Sequence, residues 1–98
     1  MEMILAIHQT PTLTRERYDE VVKRLTGGKA RIESPDDLPF EGLLAHATGE
    51  GPDGFVVVDV FESERAVEAF QAALGSTPKD VGIAEPPQFF PAHTVFIA

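Results

Sequence analysis

Leu43-Leu44-Ala45-His46-Ala47-Thr48-Gly49-Glu50-Gly51-Pro52-Asp53-Gly54-Phe55-Val56-Val57-Val58-Asp59-Val60-Phe61 is the stretch on which the fold turns. Two β-rich runs, 43–50 and 55–61, flank the turn signal Gly51-Pro52-Asp53-Gly54, which predicts a hairpin. Setting Glu50 opposite Phe55 fixes the register and puts His46 directly across from Asp59 on one face. A slip of one residue separates them. In the second run Phe55, Val57, Asp59 and Phe61 alternate with Val56, Val58 and Val60, so neither face is the polar, solvated one of a lone α+β domain.

Upstream of the hairpin, residues 29–42 carry two prolines and the turn-like Ser34-Pro35-Asp36-Asp37, a connection with at most one short helical turn. Before it, Thr14 is an N-cap candidate, and Tyr18, Val21, Val22 and Leu25 recur at helical spacing until Gly27-Gly28 supplies a stop. Met3 to His8 is an apolar run closed by Gln9-Thr10-Pro11, a first strand. Downstream, Ser63 caps a second helix with Val67, Phe70 and Leu74 on one side, ended by Gly75. Residues 75–87 form a loop tacked down by Val81 and Ile83. Residues 88–97 are β-rich again, with Pro91 marking a bulge or an unpaired N–H. The order is βαββαβ. Right-handed crossovers then lay both helices on one face of a four-stranded antiparallel sheet, with the first and third strands central: a ferredoxin-like α+β domain spanning residues 1–98.

The other face of that sheet is bare. The expected assignment puts Phe55, Val57, Asp59 and Phe61 on it, helped by Leu44 and Val95, an apolar patch near the limit a monomer exposes. A second copy closing over it is the economical answer, since burial at about 25 cal/mol per Å² contributes on the order of 10 kcal/mol before association costs. The alternative is a monomer whose long loops cover the face. A homodimer is expected, with a sheltered chamber between the two sheets.

Sixteen acidic against eight basic side chains give a formal charge of −8, which repels phosphate backbones and anionic lipid surfaces. Neither nucleic acid nor membrane is an expected partner. The absence of cysteine removes disulfides, thiolate nucleophiles and Cys-ligated metals. The apolar start at Met1 to Ala6 lacks the basic leader and long apolar core of a signal peptide, and no segment reaches the roughly 18 apolar residues of a membrane span. A cytoplasmic location is the expectation.

The three histidines, His8, His46 and His93, all fall in expected strands, as does Asp59. His93 shares a face with Pro91 and Val95, and His8 with Ala6 and Ile4. A carboxylate beside an imidazole in a poorly hydrated cavity tunes pKa values for proton transfer, because the ion pair favours the charged ring while desolvation opposes it. Asp59 with His46 or His93 is the acid/base candidate; the plainer reading is that they satisfy one another in a dimer core. His8, at a strand end, reads as a surface or interface residue. Three histidines and an aspartate from separate strands form no local ligand motif, so no metal is expected. Haem on one axial histidine is a lesser alternative. No phosphate loop or nucleophile elbow is present.

Gly42-Leu43-Leu44-Ala45-His46, the run Gly54 to Ser63, Ala69-Phe70 and Phe90-Pro91-Ala92-His93 together resemble small actinobacterial proteins of the dimeric α/β-barrel superfamily, near the antibiotic biosynthesis monooxygenase-like group. The resemblance covers most of the chain. It implies a cavity in each protomer and a homodimer, with His46, Asp59 and His93 lining or bordering the cavity. Superfamily members include cofactor-independent oxygenases, haem-degrading enzymes, isomerases and lyases. Where related sequences often carry Trp in the third strand, this chain has Phe55 and Phe61, which removes an indole donor.

Two functions follow. The first is an enzyme, monooxygenase or isomerase-like, acting without a tightly bound cofactor on a small apolar or aromatic molecule. His46, Asp59 and His93 would transfer protons, and Phe55, Val57, Phe61 and Phe89 would bind the substrate. The alternative is a non-catalytic dimeric ligand-binding or accessory protein.

Overall fold

A computed structural model describes residues 2–98; Met1, counted above in the apolar start of the chain, lies outside them. The elements run β1 (Ile4–His8), α1 (Arg15–Leu25), β2 (Leu43–Gly51), β3 (Gly54–Phe61), α2 (Glu64–Leu74), α3 (Thr77–Asp80) and β4 (Gln88–Pro91). One antiparallel sheet has the order β2-β3-β1-β4, which makes β1 and β3 central and gives an α+β arrangement compatible with a ferredoxin-like fold. No helix among the described residues is long and apolar enough to cross a membrane.

Local chemistry explains the boundaries. The Thr14 hydroxyl accepts from the Arg17 N–H at the start of α1, and the Ser63 hydroxyl accepts from the Ala66 N–H at the start of α2. The β2–β3 hairpin turns through Pro52 and Asp53, with Gly54 at φ 109°, a conformation that a side chain disfavours. In the long connection after α1, a single 3-10 turn forms at Pro35–Asp37. Asp37 pins it: its carboxylate accepts from Lys29 Nζ and from the backbone N–H groups of Glu33 (2.8 Å) and Ser34 (3.1 Å). Those donors, Lys29 first, hold the Asp37 carboxyl down at about 2.

Glu50 pairs with Phe55 and His46 with Asp59, the register set out from the sequence, and the ladder runs on to Gly51–Gly54 so that only Pro52 and Asp53 lie in the turn. The ladder slips between Leu43 and Ala45, leaving Leu44 as an extra, exposed residue. That bulge lets Leu43 and His46 share one face although they are three apart.

The faces, however, are reversed from expectation. Phe55, Val57, Asp59 and Phe61 are the buried positions of β3 and lie beneath the helices, not on the bare side. Phe61 joins Ile4, Ala6, Ala66 and Val67 in one core, stacked at a tilt on Phe70 with ring centroids 5.1 Å apart. Phe55 and Val57 join Leu13 and Ile83 in a second core under α1. The expected chamber between two sheets is therefore overturned. Both faces of β3 are apolar, so alternation alone does not choose between them; the helices take the side with the bulky aromatics. The bare face carries Leu5, Ile7, Val56, Val58, Val60 and Phe90, by register and pleat.

The last strand is shorter than expected. β4 ends at Pro91, which has no N–H to donate, and only the Ala92 N–H bond to the Met3 carbonyl (2.9 Å) carries the ladder further. Beyond it Phe96 is 87% exposed, not paired in a strand. The 75–87 loop contains a helical turn, α3, that its prolines and glycines concealed: Pro78 sits in the first turn, where its missing N–H is no loss.

Candidate functional site

The sheet's helix-facing side and the helices line a partly open cavity of about 320 Å³, mostly apolar, with His8, Tyr18, His46, Val57, Asp59 and Phe89 among its lining. The loop pinned by Asp37 closes one side with Ile32, Leu38 and Phe40.

At the wall of this cavity three side chains form a continuous hydrogen-bonded line. Asp59, 7% exposed, accepts from His46 Nδ1 at 2.5 Å. His46 Nε2 lies 2.6 Å from the Tyr18 hydroxyl. With the imidazole neutral, the carboxylate can only accept, so Nδ1 bears the hydrogen and Nε2 accepts a hydrogen bond from the Tyr18 hydroxyl. The Tyr18 and His46 rings are nearly parallel, 14° apart, and Tyr18 leans on Phe55 with centroids 5.1 Å apart. Burial, then the negative charges of Asp59 and Asp19, push the Tyr18 phenol up to about 12. At neutral pH it is a held, protonated donor. A wider polar groove of about 640 Å³, with Arg15, Arg31, Thr48 and Glu50 in its walls, lies against the other side of Tyr18 and His46. The pair thus borders both an apolar cavity and a polar groove.

Of the residues read from sequence, His46 and Asp59 meet as the register required. Val57 and Phe89 line the same cavity. His93 does not join them: it lies past the end of β4, exposed, its Nδ1 2.8 Å from the neighbouring Thr94 hydroxyl. The strand that was to align it stops at Pro91. Phe61 is wholly buried in the core rather than in the cavity wall, and Phe55 borders the polar groove. Sequence reading missed Tyr18 and His8. The signal for Tyr18 was its hydroxyl on the apolar stripe of α1, since a buried phenol seeks a polar partner and the helix-facing strand positions supply one. His8 shares the face of Ile4 and Ala6, both buried under the helices. Among the described residues no three His, Asp or Glu side chains gather as a metal would require.

In comparisons with family models, curated proteins and solved structures, nothing matches this chain.

Proposed function

We propose that the chain is an enzyme that moves a proton to or from a small, largely apolar, aromatic molecule in the cavity between sheet and helices, without a tightly bound cofactor. The resemblance to the dimeric α/β-barrel superfamily makes monooxygenation or isomerisation the reaction classes. The observation that carries this reading is the Asp59–His46–Tyr18 line set in an apolar wall. Asp59 fixes the imidazole tautomer and stabilises the ring when it becomes charged. His46 Nε2 takes the Tyr18 proton as the phenol oxygen takes one from the ligand; the reverse movement returns it. The activated ligand is then either reprotonated at another carbon or takes up O2 at the carbon that lost its proton, one oxygen atom staying there as a carbonyl and the other leaving as water, with the ligand itself supplying the electrons. In an apolar chamber the carboxylate is poorly screened by water, which strengthens its hold on the imidazolium.

The test is oxygen uptake and product analysis over a panel of phenolic and polyketide-like compounds. Turnover is expected, and His46→Ala lowers it by about 100-fold, the lower end of what a positioned acid/base contributes. Binding by thermal shift without turnover of any compound supports the non-catalytic ligand-binding alternative instead.

The functional unit of this reading is a homodimer joined through the bare face. An apolar surface built from Leu5, Ile7, Val56, Val58, Val60 and Phe90 is poorly suited to water, and a second copy offers the same surface in return.

A further inference from the structure

The cavity holds a second imidazole outside the hydrogen-bonded line. His8 ends β1 opposite Val57 of β3 and lines the cavity. Its Nε2 is 2.8 Å from the Glu85 carbonyl oxygen. A carbonyl only accepts, so Nε2 carries the hydrogen, and in the neutral ring Nδ1 is left with a lone pair. Nδ1 has no hydrogen-bond partner among the described residues. Both nitrogens of His46, by contrast, are engaged.

The ring is held from two loops. The Thr12 hydroxyl donates to the Glu85 carboxylate, the Ala84 N–H donates to the Thr12 hydroxyl at 2.8 Å, and Arg17 Nη1 donates to the Thr12 carbonyl at 2.9 Å. The Thr12 hydroxyl first, then the Thr10 hydroxyl and the Thr12 N–H, keep the Glu85 carboxyl below its ordinary range and so anionic at neutral pH. The segment that orients His8 is therefore tied down before any ligand arrives.

We infer that His8 anchors the ligand, accepting at Nδ1 a hydrogen bond from a hydroxyl group on a neutral aromatic molecule. This rests on the proposed use of the cavity as a binding chamber. The chemistry of the lining selects the class. A free acceptor calls for a donor; a carboxylate or phosphate brings only acceptors and adds negative charge near Asp59 and Glu85, while an ammonium loses its hydration among apolar walls. His8 and His46 stand on strands separated by β3 and two residues apart along them, which places their Cα atoms about 12 Å from one another.

The experiment compares 2-naphthol, naphthalene and 2-naphthoate on the full chain. Wild type should bind 2-naphthol about tenfold more tightly than naphthalene, one hydrogen bond's worth, and 2-naphthoate least. His8→Phe keeps a planar ring at the position but offers no acceptor; it should abolish the preference for 2-naphthol while leaving naphthalene affinity unchanged. Imidazole ¹⁵N spectra should show His8 with hydrogen on Nε2 and a shift of Nδ1 on adding 2-naphthol but not naphthalene. Hydrogen on Nδ1, equal affinities for 2-naphthol and naphthalene, or tightest binding of 2-naphthoate overturns the assignment. Failure of both naphthalene and 2-naphthol to bind overturns the chamber itself and the assignment with it; naphthalene binding alone keeps the chamber and removes His8.

Discussion

Tyr18 is the chain's one tyrosine, and there is no tryptophan, so phenolate absorbance reports on a single site. Alkaline titration should find its midpoint near 12, and Asp59→Asn should move it down toward 10 by removing one of the charges that oppose ionisation. The sign for stability follows. A folded-state pKa above the unfolded one contributes stability that is full below pH 10 and lost as pH rises toward 12. A midpoint near 10 in the wild type contradicts the buried, hydrogen-bonded phenol. His46 and Asp59 were legible in the sequence once Glu50 was set opposite Phe55, a register that the turn residues between the strands suggested and the structure has. Tyr18 was not, because it approaches from α1, and no strand register specifies which helix residue arrives above a given strand pair.

At the level of elements, the close approach of the β2 entry to α2 rests on Gly42. Its φ is 100°, and a Cβ there would lie 2.5 Å from the Ala66 Cβ, while its carbonyl receives the Glu62 N–H at 2.8 Å. Gly42→Ala should destabilise the fold by at least about 1 kcal/mol, from the backbone alone, with the clash adding to it; urea unfolding measures this. An unchanged midpoint would show that α2 is free to retreat. Helix caps, the hairpin and the 3-10 turn at Pro35 were readable because each rests on a few adjacent residues. The orientation of β3 was not, since valines on one side and phenylalanines with Asp59 on the other both pass for interior. The end of β4 was misjudged for a related reason: β propensity in 94–97 describes residues that would suit a strand, whereas pairing needs a neighbouring edge, and β1 offers none beyond Met3.

At the scale of the whole molecule, the proposed homodimer is checked by sedimentation. Wild type should run as a pair at micromolar concentration, and Val58→Glu, which sets a charge in the middle of the bare face, should release folded protomers. A wild-type protomer that sediments alone removes the dimer. The cavity and the proposed interface lie on opposite sides of one sheet, which separates the two roles physically. Every group of the proton line comes from a single chain. Each subunit would thus be chemically self-sufficient, and pairing one inactivated subunit with an intact one should leave half of the capacity rather than none.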